Sequence, residues 1–470
     1  MSGGMMSDMT TPRRFLPLDP DPAADPARYL SRADSEALFH RVQRLSAGGG
    51  EVGVTIESRW TGNLRWARNR VSSSGDTSDH TLRITRVIRG ARGDVSTNKF
   101  DDVSLTLALQ TAERLVQFYS ENPDANPLPG AQTYLAPKLW SDASYNLSAL
   151  TRSDAARKLT EPVVAQQLVA AGYLQTGVTV RSIYNTSGMN AYYAATQAEY
   201  STTVRNPQET GSGWAGVTKQ DWSTIDAKTI TSLALKKCVD SADPRAIEPG
   251  RYTVIMEPQA VHNLFVFVIY ALDRYAAENF QTVFTLRPGQ SKIGVKVFDD
   301  RLTVSTDPMD PEAGYIPFDY EGYPYRAVKW VENGVLKELA YTRQYALSQL
   351  GHGVPLPNPN AYRLSGGNTS LDEMIASTER GLLVTRFGGV NTLDGASLLM
   401  TGVSRDGLWL VEKGKIKFPV KNMRFTDSPM FAFNNIEQLG IPQRVYNWSP
   451  AIVPPIKVRD FNFSSMSDAV

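Results

Sequence analysis

The feature that most constrains this chain is the run Glu257–Phe280, EPQAVHNLFVFVIYALDRYAAENF. Pro258 has the fixed φ that suits a first helical turn, and Val261, Leu264, Phe265, Val268, Ile269 and Leu272 follow at three- and four-residue spacing. Val266, Phe267 and Tyr270 make the other faces apolar as well. The run therefore predicts a helix buried on most sides until Asp273 and Arg274 return it to water. The uninterrupted apolar stretch, Leu264–Leu272, falls short of the ~20 residues that a bilayer span needs. At about 1.5–3 kcal/mol per buried large apolar side chain, such a helix anchors a domain core. His262, near its start, reads most simply as a satisfied core or rim residue, with a ligand or general base as the sharper alternative.

A length of 470 residues exceeds what one core usually holds, so two or three domains are expected. The boundaries fall at a flexible N-terminus over 1–28, an α+β module over 29–121, a helix-hairpin-helix module over 138–243 and a mainly β domain over 250–460. The fold class is α+β: an N-terminal α+β portion followed by a mostly antiparallel β C-terminal domain built around the buried helix. Lysine plus arginine (49) against aspartate plus glutamate (48) leaves a net charge of +1, which gives a nucleic-acid groove or an anionic membrane patch no support. One cysteine, Cys238, excludes an intramolecular disulfide framework, and only 4 histidines make the chain poor in transition-metal ligands. The N-terminal residues show no apolar run behind Arg13 and Arg14, so neither a secretory signal nor a membrane anchor is expected, and the cytoplasm is the expected location.

Ser31–Leu45 predicts a first helix with His40 at its surface. From Glu51 alternation sets in: Val52, Val54 and Ile56 share a face, a turn is expected at Thr61-Gly62-Asn63, Leu64 and Trp66 follow, and Leu82, Ile84 and Val87 mark the next strand before a turn at Gly90–Gly93. Asn98 or Asp101 caps a helix through Val116. The arginines here (Arg65, Arg68, Arg70, Arg83, Arg86, Arg89, Arg92) form either a polyanion site or, more simply, a solvated outer face. Asn122–Pro137 is a proline-rich linker. A helix from Ser153 or Asp154 to a C-cap at Gly172 precedes strands Tyr173–Tyr184 and Met189–Val204, joined by a turn at Asn185–Gly188. GSGWAGVTKQDW then forms a loop before a helix over Ile225–Val239. Beyond the central run, strands are expected at Val295–Val304, Tyr325–Lys329, Leu382–Phe387 and Leu408–Val411, with tight turns at Val331–Val335 and Glu412–Lys415 and short helices at Thr342–Leu350 and Leu371–Gly381.

The chain has no GxGxxG after a strand, no GxxxxGK[ST], no GxSxG and no HExxH. His40, His80, His262 and His352 are never within five residues of another His or Cys, so no local zinc site is encoded. Cys238 follows two lysines at a helix end and reads as a buried or neutral thiol. The densest polar constellation is Asp299, Asp300, Asp307, Asp310, Asp319 and Glu321, with Arg301 and Arg326 nearby. Such carboxylates serve acid/base chemistry or a hard cation, or, as the surrounding Pro and Gly favour, a structural loop network.

The runs VFDDRLTVSTDP, FDYEGYPYRAVKWVENGVLKELAYTRQYAL, NTSLDEMIASTERGLLV and NTLDGASLLMTG, with RVSSSGDTSDHTLRITRVIRGARGDVSTNKFDD and the turn NTSG upstream, resemble the TldD/PmbA proteins, once called modulators of DNA gyrase. The match covers most of residues 35–440. It implies dimers, often of two unlike paralogues. One of these, the TldD type, is a zinc metallopeptidase with an HExxxH motif on the central helix and a later cysteine ligand. Here Val266, Phe267 and Ala271 stand about where those ligands and the catalytic glutamate fall, and no cysteine follows Cys238. The chain therefore resembles the TldE/PmbA type, which holds an extended peptide beside its catalytic partner. The old name supplies no residue-level basis for an interaction with gyrase.

The resemblance implies a non-catalytic subunit of a TldD-type metallopeptidase complex, binding unfolded peptide beside a zinc-bearing TldD-like paralogue or a second copy of itself, with no cofactor in this chain. His262, Asp319, Glu321 and Arg326 are its candidate peptide-binding and cavity residues. A self-sufficient non-zinc enzyme of a biosynthetic pathway, with His262 as catalytic residue beside the carboxylates, is the alternative. A homodimeric peptide-binding protein without chemistry is the third reading.

Overall fold

The computed structural model describes residues 28–46, 48–118 and 127–467. The lead-in expected over 1–28, Arg28 apart, lies outside the described residues, as does part of the linker at 122–137. Helix α1 (Arg32–Leu45) starts at a capping box in which Ser31 and Asp34 satisfy each other's backbone N–H groups. Strands β1 (Glu51–Ala67), β2 (Arg70–Ile88) and β3 (Ala91–Thr97) lead to α2 (Asp102–Val116), whose N-cap Asp101 accepts from the Ser104 N–H at 2.9 Å. A short α3 (Asp142–Tyr145) and α4 (Ala149–Ala165) precede β4 (Val169–Asn185), β5 (Asn190–Arg205), β6 (Ser212–Lys219) and α5 (Ala227–Asp240). The strands join in one six-stranded antiparallel sheet, order β3-β2-β1-β4-β5-β6, so residues 29–121 and 138–243 build a single layer. Its apolar face, with Val54, Ile56, Leu64 and Trp66, is covered by the helices.

The central run forms α6 (Pro258–Tyr270), preceded by β7 (Gly250–Met256). Around α6 lie two sheets. A seven-stranded one contains β7 with Arg380–Asp394, Leu399–Glu412, Lys415–Pro419, Met423–Asp427, Ile436–Leu439 and Ile456–Met466. A six-stranded one contains Val304–Thr306, Val328–Glu332, Val335–Leu336, Tyr362–Leu364, Gln443–Arg444 and Ala451–Val453. Val261, Leu264, Phe265, Val268 and Ile269 share one core with Met256, Val384, Trp330, Leu364 and Val453 from both sheets. Most strand pairs are antiparallel, and β7 runs parallel to Arg380–Asp394. The architecture is the expected α+β one, with a buried helix at the centre of a mainly β portion.

Several local expectations give way to tertiary context. The run is not one helix: the chain turns at Ala271–Leu272, and Asp273 caps a second helix, α7 (Arg274–Asn279), through the Ala276 N–H at 2.7 Å. Tyr270, expected in the core, is 74% exposed. No turn forms at Thr61-Gly62-Asn63; β1 continues through it because Gly62 lets the buried Arg152 guanidinium lie against the strand, where any Cβ would overlap it. The turn comes instead at Arg68-Asn69, both at positive φ. Gly172 is no helix cap but sits in β4 under the Trp66 ring, and α4 ends at Ala165. GSGWAGVTK is not a loop but supplies β6. Gly381, expected at a helix end, lies in the strand Arg380–Asp394. Val295–Val304 is no strand, because the Asp299 carboxylate accepts from the Arg301 N–H at 3.0 Å and turns the chain there. Tyr325–Lys329 shifts to Val328–Glu332.

Candidate functional site

Side chains alternate across a strand, so the registers fix which residues share each face of the N-terminal sheet. Opposite the helices, Glu57, Arg59, Thr61 and Arg65 of β1 align with Arg181, Thr179, Gly177 and Tyr173 of β4, and these with Tyr193, Ala195, Gln197 and Ser201 of β5. This polar face is a floor. Its wall comes from the C-terminal portion: the turn 319–325, the segment 341–358 and the segment 444–449. Arg181 pairs with Glu57 at 2.7 Å and lies 4.0 Å from the Tyr320 ring centroid. Arg59 lies 4.8 Å from the Trp448 ring.

Where floor and wall meet, two adjoining cavities of 250 and 260 Å³ share Tyr320, Glu321 and Arg343. The first is also lined by Thr55, Arg92 and Asn185, the second by Asp319, Tyr325 and Tyr341. The Asp319 carboxylate accepts the N–H groups of Glu321 at 2.9 Å and Tyr323 at 2.8 Å, which shapes the turn. Burial, helped by the Glu321 charge, outweighs those bonds and pushes its pKa up to about 6. Arg343 donates to the Pro127 carbonyl at 2.6 Å, while its buried Nε has no hydrogen-bond partner among the described residues. Carboxylates, guanidinium and tyrosines thus line a cleft that offers donors and acceptors along its length.

The sequence-derived candidates separate. Asp319 and Glu321 reach the cleft. Arg326 is exposed and makes no hydrogen bond or ion pair among the described residues. His262 is 4% exposed; its Nδ1 lies 2.7 Å from the Tyr362 hydroxyl, and its ring stacks on Tyr362. Desolvation holds its pKa down at about 4, so at neutral pH it is an uncharged imidazole. No hydrogen bond, ion pair or electrostatic interaction among the described residues joins His262 to Asp319, Glu321 or Arg326. Of the other carboxylates, Asp299 pairs with Arg301 at 2.7 Å, Asp300 with Lys296 at 2.5 Å and Asp310 with Arg363 at 2.7 Å, while Asp307 accepts the Met309 N–H at 2.9 Å. Arg86, expected on a solvated face, is 1% exposed and paired with Glu113 at 3.1 Å. Arg59, Arg181, Tyr320, Arg343 and Trp448 escaped the sequence reading. The strict alternation of β1 marks Arg59 as sharing a face with Arg65, whereas the others join the cleft only through folding.

Residues 249–465 match the family described as the PmbA/TldA metallopeptidase C-terminal domain. A zinc metalloprotease TldD homologue of Saccharolobus solfataricus is 26% identical over 47% of this chain and 50% of its own length. A metalloprotease PmbA homologue of Buchnera aphidicola is 24% identical over 46% of this chain and 47% of its own. The chain thus spans about half the length of the curated relatives it matches. The fold is that of TldE from Thermococcus kodakarensis, with a TM-score of 0.81 at 16% identity over 92% of this chain and 99% of that one. A candidate modulator of a DNA gyrase from Thermotoga maritima gives a TM-score of 0.80 at 18% identity over the same shares. No described helix is long and apolar enough to cross a membrane.

Proposed function

We propose, from the match of residues 249–465 to the PmbA/TldA metallopeptidase C-terminal domain, that this chain is the peptide-holding, non-catalytic subunit of a TldD-type complex. The observation that carries this reading is the donor set on α6. At the positions that the resemblance assigns to the zinc ligands and the catalytic glutamate stand Val266, Phe267 and Ala271, apolar side chains without a lone pair for a metal or its water. Among the described residues no three His, Cys, Asp or Glu side chains converge as a metal site. Cys238 is packed in the core beneath the N-terminal sheet, its thiol pushed up to about 11 by burial. The residues present at these positions do not fit zinc. Zinc, water and base come from the partner, a TldD-like paralogue, and a second copy of this chain is the other partner considered. An unfolded peptide lies along the floor of the N-terminal sheet, with Asp319, Glu321 and Arg343 meeting its backbone. The cytoplasm is the compartment of this reading.

The self-sufficient enzyme finds no support in the setting of His262, a buried neutral ring bonded to Tyr362. Elemental mass spectrometry of the chain purified alone, without chelator, is the first test. Zinc at background is expected, together with no hydrolysis of an unfolded peptide. Near-stoichiometric zinc overturns the proposal. Adding the chain to a TldD-type relative is expected to raise that relative's peptide hydrolysis. Peptide binding without such stimulation leaves the homodimeric binder in its place.

A further inference from the structure

Arg59 and Arg65 stand on the open part of the polar floor, and both are exposed. Each guanidinium is held against an aromatic ring, Arg59 over Trp448 at 4.8 Å and Arg65 over Tyr173 at 5.0 Å. Such stacking, joined at Arg65 by a hydrogen bond to the Tyr173 hydroxyl, fixes the plane of the fork, so little side-chain entropy is left to lose on pairing. Unlike Arg181 with Glu57 and Arg92 with Asp94, neither forms an ion pair among the described residues. Two carboxylates lie near. Asp79 is the cross-strand partner of Arg59, without an ion pair between them. Glu199 attracts both arginines but is 4% exposed and engaged by Tyr446. Two preoriented cations on an exposed floor are therefore left without an ion-pair partner among the described residues.

We propose that this floor selects an extended acidic peptide, whose carboxylates pair with Arg59 and Arg65. The inference rests on the peptide-holding reading above and adds the substrate class. Six residues of strand separate the two arginines, about 20 Å at roughly 3.3 Å per residue, so an extended chain presents matching acids about six residues apart. The guanidinium fork suits a carboxylate's two oxygens. A nucleic acid is disfavoured: its phosphates repeat far more closely than these two cations, and the net charge of +1 supplies no basic run to follow them.

Fluorescence anisotropy at low salt tests this with the full chain and two labelled, unstructured ten-residue peptides, one with Glu at positions 2 and 8 and the other with Gln there. The Glu peptide is expected to bind at least about tenfold tighter than the Gln peptide, the order of two charge-assisted contacts. The difference is expected to vanish in R59Q/R65Q, whose sites are exposed, the Glu peptide falling to the affinity of the Gln peptide. Equal binding of both peptides by the parent overturns the acidic preference and leaves peptide holding intact. Binding of neither overturns both. A polythymidine oligonucleotide that displaces the Glu peptide at equal concentration overturns the choice of a peptide.

Discussion

At the scale of single residues, His262 shows how burial decides chemistry. Its proton affinity is depressed to about 4 by desolvation, against a hydrogen bond that the ring donates to Asn447 and that favours the charged form. The unfolded chain takes up that proton near pH 6.5. Between the two values the unfolded state binds more protons, so the contribution of His262 is complete above about pH 6.5 and lost as pH falls towards 4. The loss is on the order of 3 kcal/mol over the interval. His262→Leu removes this titration but orphans the buried Tyr362 hydroxyl, at a cost of about 1–3 kcal/mol. Thermal melts from pH 7 to 4.5 are expected to show a lower Tm for the variant at pH 7 and a difference from the parent that shrinks on acidification. A difference that stays constant or grows refutes the buried neutral imidazole. The sequence showed His262 on an apolar helix and favoured a satisfied core residue. It did not show the partner, because Tyr362 is 100 residues away and reaches the ring only across the core.

At the scale of elements, β1 and α4 explain one another. Arg152 is fully buried, donates to the Leu147 carbonyl at 2.8 Å and pairs with Asp76 of β2. It crosses the sheet over Gly62, the one residue without a side chain to block it. Gly62→Val suits strand propensity yet pushes the guanidinium from its partners, and is expected to cost about 3–5 kcal/mol, read as a lowered urea midpoint at unchanged slope. A stabilised variant refutes this account. The same geometry explains why the turn was misplaced: Gly62 reads as a turn former but serves a close approach. Arg68-Asn69 carries no glycine, yet Asn69 tolerates positive φ and its side chain binds Leu168 and Ala170 of the neighbouring segment, at 2.8 and 2.6 Å. The cap at Asp101 and the helix opening at Ser31 were legible because their signal is local, whereas the capping box of Ser370 with Glu373 was not read. Gly172 and Gly381 failed as caps because their small size serves packing inside strands.

At the scale of the whole molecule, polar contacts join the N-terminal sheet to the C-terminal portion. The Asp406 carboxylate, 3% exposed, accepts from Ser212 at 2.6 Å and from Arg386 at 2.5 Å, and Arg386 lies 4.7 Å from the Trp214 ring. Gln220 donates to the Gly314 carbonyl and Tyr134 to that of Gly322, at 2.9 and 2.8 Å. Each half has its own core, so these contacts couple two units that are each able to melt. Asp406→Ala leaves Arg386 without its carboxylate and is expected to cost about 2–4 kcal/mol and to split the calorimetric transition in two. A single transition at the parental temperature refutes the coupling. The sequence by itself determined the α+β class, the buried helix with Pro258 at its start, the hairpin of Tyr173–Tyr184 and Met189–Val204 and the apolar residues where the resemblance implies metal ligands, because periodicity, caps and residue identity are local properties. Only the tertiary structure decided which carboxylates are neutralised, where His262 points, how Tyr320 and Arg343 meet at one cleft and how Arg59 stacks on Trp448. Those outcomes depend on contacts between residues far apart in the chain, and their energies come from desolvation and packing that no sequence window contains.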